Sequence, residues 1–282
     1  MFALRQVVSS LKLFALIAAT FIFGNSVIAQ PRITLKNPEV KRAARFDVSP
    51  ALRTITPQVG GTKKAEDDTG PGGPVGDTRH DPDPVLQSLV GSGAFSGSNG
   101  FAGTIANFEG MGGLGSTPPD PNGDIGPNHY VQMVNARFQV FTRDGTSVFG
   151  PANINTLFAG FGGPCQTENA GDPVVLYDQA ADRWLLSQFS DSAGPFFNCI
   201  AISTSGDPTG TYFRYAFEAP TFPDYPKYGV WSDGYYLTTR ESAGGVLGMY
   251  ALERDQMIAG NPAARSVRFT VPETGGVGPN GL

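Results

Sequence analysis

Histidine is nearly missing from this sequence: His80 and His129 are the only two. A zinc site and a Ser-His-Asp triad both need imidazoles beside partner ligands, and neither constellation is present. His80 lies in the Pro-broken acidic segment TRHDPDP, and His129 opens a strand-like run, HYVQMVN. No Gly-x-Ser-x-Gly elbow occurs, which removes the usual setting of a nucleophilic serine in α/β hydrolases. Cysteine is equally scarce, with Cys165 and Cys199 alone. In an oxidising compartment such an even pair predicts one disulfide. Charged residues make up only 16% of the chain. A long apolar run is lacking too: LFALIAATFIFG, Leu13 to Gly24, has 12 residues, where a membrane-spanning helix needs about 20.

That short run sits behind Arg5 and Lys12 and ahead of SVIAQ, in which Val27 and Ala29 take the small-residue positions before a signal-peptidase cut. The pattern predicts a signal peptide over 1–29, a secreted or cell-surface protein and no membrane span after cleavage. The mature chain then carries 18 Lys and Arg against 25 Asp and Glu, a net charge of −7. That balance argues against nucleic acid as a partner.

Glycine (37) and proline (23) are abundant. Residues 30–106 show no sustained apolar period, and GPGGPVG (Gly70 to Gly76) is almost all Gly and Pro, so this stretch reads as a flexible leader. Its first part is basic, with six Lys and Arg between 31 and 53 against Glu39 and Asp47.

Beyond about Gly126 short runs rich in Val, Ile, Phe, Tyr and Trp alternate with turn residues, the mark of an all-β domain over 107–282. Residues 171–218 can be laid over 224–271, Asp172-Pro173 on Tyr225-Pro226, Trp184 near Tyr236 and Phe213 near Val267. Four strands in about 50 residues match a β-propeller blade. Residues 128–158 fit an earlier, partial blade whose remaining strand would come from upstream or from the far end of the ring. An immunoglobulin-like sandwich would want about seven strands per 100 residues and a Cys-Trp-Cys spacing that is not found. About three four-stranded blades are therefore expected. Propellers close with roughly four to eight, so the ring is expected to be incomplete and the chain a fragment.

The series PPDPNGDIGPNHYVQMVN, GFGGPC, GDPVVLYDQAADRWLLSQF, CIAISTSGDPTGTYFRYAF and DYPKYGVWSDGYYLTT resembles a family of large secreted bacterial proteins of unassigned function. The resemblance covers about Asn107 to Leu252. It implies a propeller-like extracellular domain and carries over no catalytic residue. A weaker likeness is to the Asp-box turns of sialidases. SGDPTGTY has Ser205, Asp207 and Tyr212 in place with Gly210 one position late, and TRDGTSVF has Thr142, Asp144 and Phe149 with Gly145 one position early. In that family the box is structural, its aspartate capping turn amides.

Asp120, Asn122 and Asp124 place oxygens at alternate positions in PDPNGDIG. An EF-hand would need Gly at position 6 and Glu at position 12, and Ile125 and Val131 stand there. A looser calcium site and plain Asx-type turns stay open. A glycosidase needs two carboxyls about 5–10 Å apart; Asp120, Asp124, Glu168, Asp172, Asp191, Asp224 and Glu241 are loop candidates, and no spacing singles out a pair. A sialidase-like site would also want arginines converging on a carboxylate; Arg137, Arg183, Arg214 and Arg240 are available. The densest aromatic segment is FPDYPKYGVWSDGYY. Tyr225, Tyr228, Trp231 and Tyr235, with Arg240, form the candidate ligand-binding set. The combined expectation is a secreted, non-enzymatic binding or structural domain for an extracellular glycan or protein. A sialidase-like glycoside hydrolase is the alternative.

Overall fold

A computed structural model describes residues 38–60, 106–112, 116, 118–190, 194–241 and 245–272. The expected signal peptide and most of the expected leader lie outside the described residues.

Among the described residues fourteen strands form three antiparallel sheets, so the all-β expectation holds. The first sheet is a meander of β3 (Asn122–Ile125), β4 (His129–Val134), β5 (Arg137–Thr142) and β6 (Ser147–Asn153). The middle sheet repeats the meander with β7 (Val174–Asp178), β8 (Arg183–Phe189), β9 (Phe196–Ser203) and β10 (Tyr212–Ala219). The third does so with β11 (Pro223–Val230), β12 (Tyr235–Glu241), β13 (Val246–Leu252) and β14 (Arg265–Pro272). Among the described residues two short α-helices interrupt the series, α1 (Pro164–Thr167) and α2 (Arg254–Ile258). The fourth strand of the sheet over 128–158 is β3, which comes from upstream.

Each meander starts the same way. Asp120, Asp172 and Tyr225 have φ of 37°, 42° and 52°, and each precedes a proline. Positive φ is costly for a residue with a Cβ and persists only where the surroundings enforce it. Its recurrence at the start of all three sheets marks one backbone device used three times. The direction in which side chains face refines the internal alignment. Trp184 packs towards the first sheet and Tyr235 towards the middle one, each on the side of the preceding sheet, so in facing Trp184 corresponds to Tyr235. A slip of one residue moves a side chain to the other face of a strand, and Trp184 and Tyr235 are both fully buried.

The middle sheet is covered on both faces. Val131, Met133, Phe138 and Val140 of the first sheet share one core with Val175, Trp184, Leu186 and Ala201. Leu185, Ile200, Ile202, Tyr215 and Phe217 share a second with Tyr235, Leu237, Tyr250 and Leu252 of the third. Alternate residues of β8 therefore serve different cores, as the period of two requires. The disulfide is present: Cys165 of α1 joins Cys199 of β9 with Cα atoms 5.7 Å apart.

Composition assigned the whole of 30–106 to a flexible leader, but residues 38–60 are built into the sheets. β1 (Glu39–Arg42) is a fifth strand beside β14 and β2 (Arg45–Val48) a fifth strand beside β10. The chain crosses from one sheet to the other at Ala43, whose N–H donates to the Ala264 carbonyl, and Ala44, whose N–H donates to that of Ala216. It then reaches the first sheet, where the Gln58 carbonyl accepts from the Asn153 N–H. Backbone edges supply these bonds, which is why hydropathy gave no sign of them.

Candidate functional site

The turn from β7 to β8 and the turn from β11 to β12 lie side by side, and between them opens a cavity of about 370 Å³. Tyr177, Asp178, Gln179 and Ala180 line it from the middle sheet, and Val230, Trp231 and Ser232 from the third.

Its base is held by charge. Asp178 is buried, and its carboxylate accepts Nε of Arg254 at 2.6 Å, Nη2 of Arg254 at 3.0 Å and the Tyr235 hydroxyl at 2.9 Å. Burial pushes this carboxyl up, but the Arg254 guanidinium and the Tyr235 hydroxyl outweigh it and hold it below its ordinary value. The same pairing raises Arg254. Tyr177 packs its ring 4.9 Å from that of Trp184 and donates to Asp182 at 2.5 Å. Burial and then that bond push its phenol up to about 12.

The rim is aromatic and wet. Trp231 follows the last residue of β11 in a turn closed by its N–H to the Gly234 carbonyl at 3.0 Å. Its side chain is 69% exposed, more than any other large apolar residue described. Outside the cavity, on the other face of β12, Tyr236 is 42% exposed and donates to Asp233 at 3.0 Å. Indole, amide and hydroxyl groups on a partly apolar concavity can stack on a ring and bond its substituents.

The five residues expected to bind a ligand do not converge. Trp231 is at the rim and Tyr235 lies beneath it, bonded to Asp178. Tyr228 turns inward against the second core and bonds with Ser187. Tyr225 stands at the far end of β11, about 20 Å away at strand rise, with the Lys227 ammonium 3.5 Å from its ring centre. Arg240 sits on β12 opposite Asp224. The Asp178–Arg254 pair and Gln179 were missed; a lone Asp and Arg 76 residues apart give no local signal.

Asp120, Asn122 and Asp124 couple sheets and neighbouring loops. Asn122 Oδ1 accepts the Val175 N–H at 2.9 Å, and Asp124 Oδ2 accepts the Tyr177 N–H at 2.7 Å. Asp124 Oδ1 also accepts the Ile125 N–H, and Asp120 Oδ2 accepts Asn135 Nδ2 at 2.8 Å. Asn122 and Asp124 thus serve amides two residues apart on β7, about 7 Å in strand rise. Gly126 closes the motif: a Cβ there would come within 2.8 Å of the Trp184 ring. Among the described residues no group of three His, Cys, Asp or Glu is placed to hold a metal ion.

Asp207 and Asp144 cap the turns between the third and fourth strands of the middle and first sheets. Asp207 Oδ1 accepts the Thr209 N–H at 2.8 Å, and Asp144 Oδ1 accepts the Thr146 N–H at 3.2 Å. The chain matches no family model, no curated protein and no solved structure.

Proposed function

We propose that this chain is a secreted bacterial β-propeller-like domain that binds an extracellular carbohydrate, without catalysis, in the groove beneath Trp231. The observation that carries the reading is the exposed indole at the mouth of a cavity. An indole has an apolar face for stacking and an N–H for bonding, and this one stands at the edge of a concavity with polar neighbours, the setting of a ligand site. Gln179 and Ser232 stand beside it as hydrogen-bonding groups, and a pyranose offers an apolar face to the indole and hydroxyls to such neighbours. The buried Asp178 is engaged by Arg254 and Tyr235, which suits a structural floor better than an acid or base.

Three meanders with a common starting turn, and first strands that neighbour one another, support the propeller reading. The disulfide supports secretion, and among the described residues no helix is long and apolar enough to cross a membrane.

A glycan array probed with the purified chain tests this, together with a hydrolysis screen. At least one glycan should bind, and Trp231→Ala should weaken that binding by about tenfold or more, a loss of roughly 1–3 kcal/mol for one stacked aromatic, with the melting temperature unchanged. Equal binding by Trp231→Ala would move the site elsewhere. Hydrolysis abolished by changing one carboxylate would replace the binding reading with the sialidase-like one.

A further inference from the structure

The two ends of the sheet stack are finished differently. On the first sheet the outward face is covered by the chain's own residues: Phe108 rests 6.1 Å from Tyr130 and 5.4 Å from Phe141, ring centre to ring centre. Beside it, Met111 is buried and its N–H donates to the Gln132 amide oxygen at 2.6 Å.

On the third sheet the outward face carries an apolar patch. Its inward residues Tyr235, Leu237, Tyr250 and Leu252 pack on the middle sheet, so period two turns Tyr236, Met249 and Ala251 outward. Phe269 and Val267 join them, paired across the ladder with Met249 and Ala251. None of these five belongs to either core. Val40 of the fifth strand, opposite Val267, is 52% exposed.

Strand pairing shows what this face corresponds to. Leu185 pairs with Ile202 as Tyr236 pairs with Ala251, and Ile200 pairs with Tyr215 as Met249 pairs with Phe269. Leu185, Ile202, Ile200 and Tyr215 make up the face on which the middle sheet receives the third. The third sheet therefore repeats, position by position, the surface its neighbour uses to accept a following sheet. Stacked repeats that end in solvent carry a polar outer face; here Lys227, Thr238 and Arg240 lie to one side, and the patch of Tyr236, Met249, Ala251, Val267 and Phe269 beside them is apolar.

We propose that the outward face of the third sheet is the docking surface for a further four-stranded antiparallel sheet of the same repeat, seated as the third sits on the middle. Continuity with the existing interface selects this occupant. The partner would present a face like that of Tyr235, Leu237, Tyr250 and Leu252, with a large aromatic at the start of its second strand, where Trp184 and Tyr235 stand. The inference is independent of the carbohydrate groove, which lies between the two preceding sheets, and of the number of sheets that close a ring.

Both cysteines are in the disulfide, so Met249→Cys introduces a single thiol whose maleimide labelling reads coverage of this face. Labelling is measured on the 282-residue chain over a range of concentrations, and on the same chain extended by a second copy of residues 219–272. The proposal expects fast labelling at every concentration for the first and about tenfold slower labelling for the second, as a docked sheet must open to expose the thiol. Unchanged labelling in an extended chain whose circular dichroism shows added strand content would overturn it. Slow labelling in the 282-residue chain at all concentrations would overturn it in favour of cover by the chain itself, and slowing only at high concentration in favour of a second copy. A second measurement needs no extension. Met249→Lys should move the melting temperature by less than about 2 °C, while Ile200→Lys at the covered equivalent should prevent folding or lower it far more. Equal damage from both would mean the face is already filled.

Discussion

Asp178 brings a full negative charge into the interface between the middle and third sheets, where water cannot solvate it. Two bonds from Arg254 and one from Tyr235 take the place of that water. The carboxyl's folded pKa lies below its ordinary value of 3.8. A group lowered on folding adds stability above its unfolded pKa, and that contribution disappears as pH falls through the lower, folded pKa. Urea unfolding from neutral pH downward should therefore show stability held to about pH 4 and then falling. Asp207, held low by Thr209 and Arg53 against a smaller burial effect than their sum, contributes in the same direction. Asp178→Asn should cost roughly 3–5 kcal/mol near neutral pH, because it leaves the buried Arg254 without its counter-ion. It should also flatten the acid limb of the curve; an unaltered limb would assign that limb to other carboxylates. The same pair shows what local sequence cannot carry, since neither residue sits in a motif and each gains its role from the other.

At the scale of elements, the segment 38–60 acts as a strap across the outer edges of the sheets. It follows one rule twice: an acidic residue of the fifth strand stands opposite a buried arginine of the fourth. Asp47 pairs with Arg214 and Glu39 with Arg268. Arg214 receives the stronger clamp, donating to both Asp47 oxygens at 2.7 and 2.6 Å and to the carbonyls of Leu157 and Ala159. Arg268 relies chiefly on buried Glu241, with Glu39 at 3.3 Å and half exposed. Asp47→Ala should accordingly cost about 2–3 kcal/mol and Glu39→Ala under about 1 kcal/mol. Denaturant titration of the two variants measures the difference, and equal costs would refute the asymmetry. The acidic partners were visible in the sequence as Glu39 and Asp47 within a basic stretch. Their meaning was not, because β1 and β2 are each only four residues long and find their partners more than 160 residues away.

On the scale of the whole molecule, stability rests on a middle sheet clasped from both sides and on one covalent tie. The disulfide anchors the loop after the first sheet to β9 of the middle one and spans 34 residues. Closing a loop of that size removes roughly 3–4 kcal/mol worth of unfolded-state entropy. Replacing Cys165 and Cys199 together by Ser should lower stability by about that amount, read by calorimetry with and without reductant. A negligible change would mean that the two thiols are not bridged in solution. The sequence by itself determined the all-β class, the four-strand rhythm, the bridged cysteines and the turn aspartates, because each depends on residue type and spacing over a few positions. It could also exclude an EF-hand, since a missing Gly and Glu are local facts. Only the tertiary structure decided that Asn122 and Asp124 reach across to β7, that Tyr235 is floor while Trp231 is rim, and that a basic leader segment completes two sheets. Those outcomes depend on which strand lies beside which, and on a strand parity that a single-residue slip reverses.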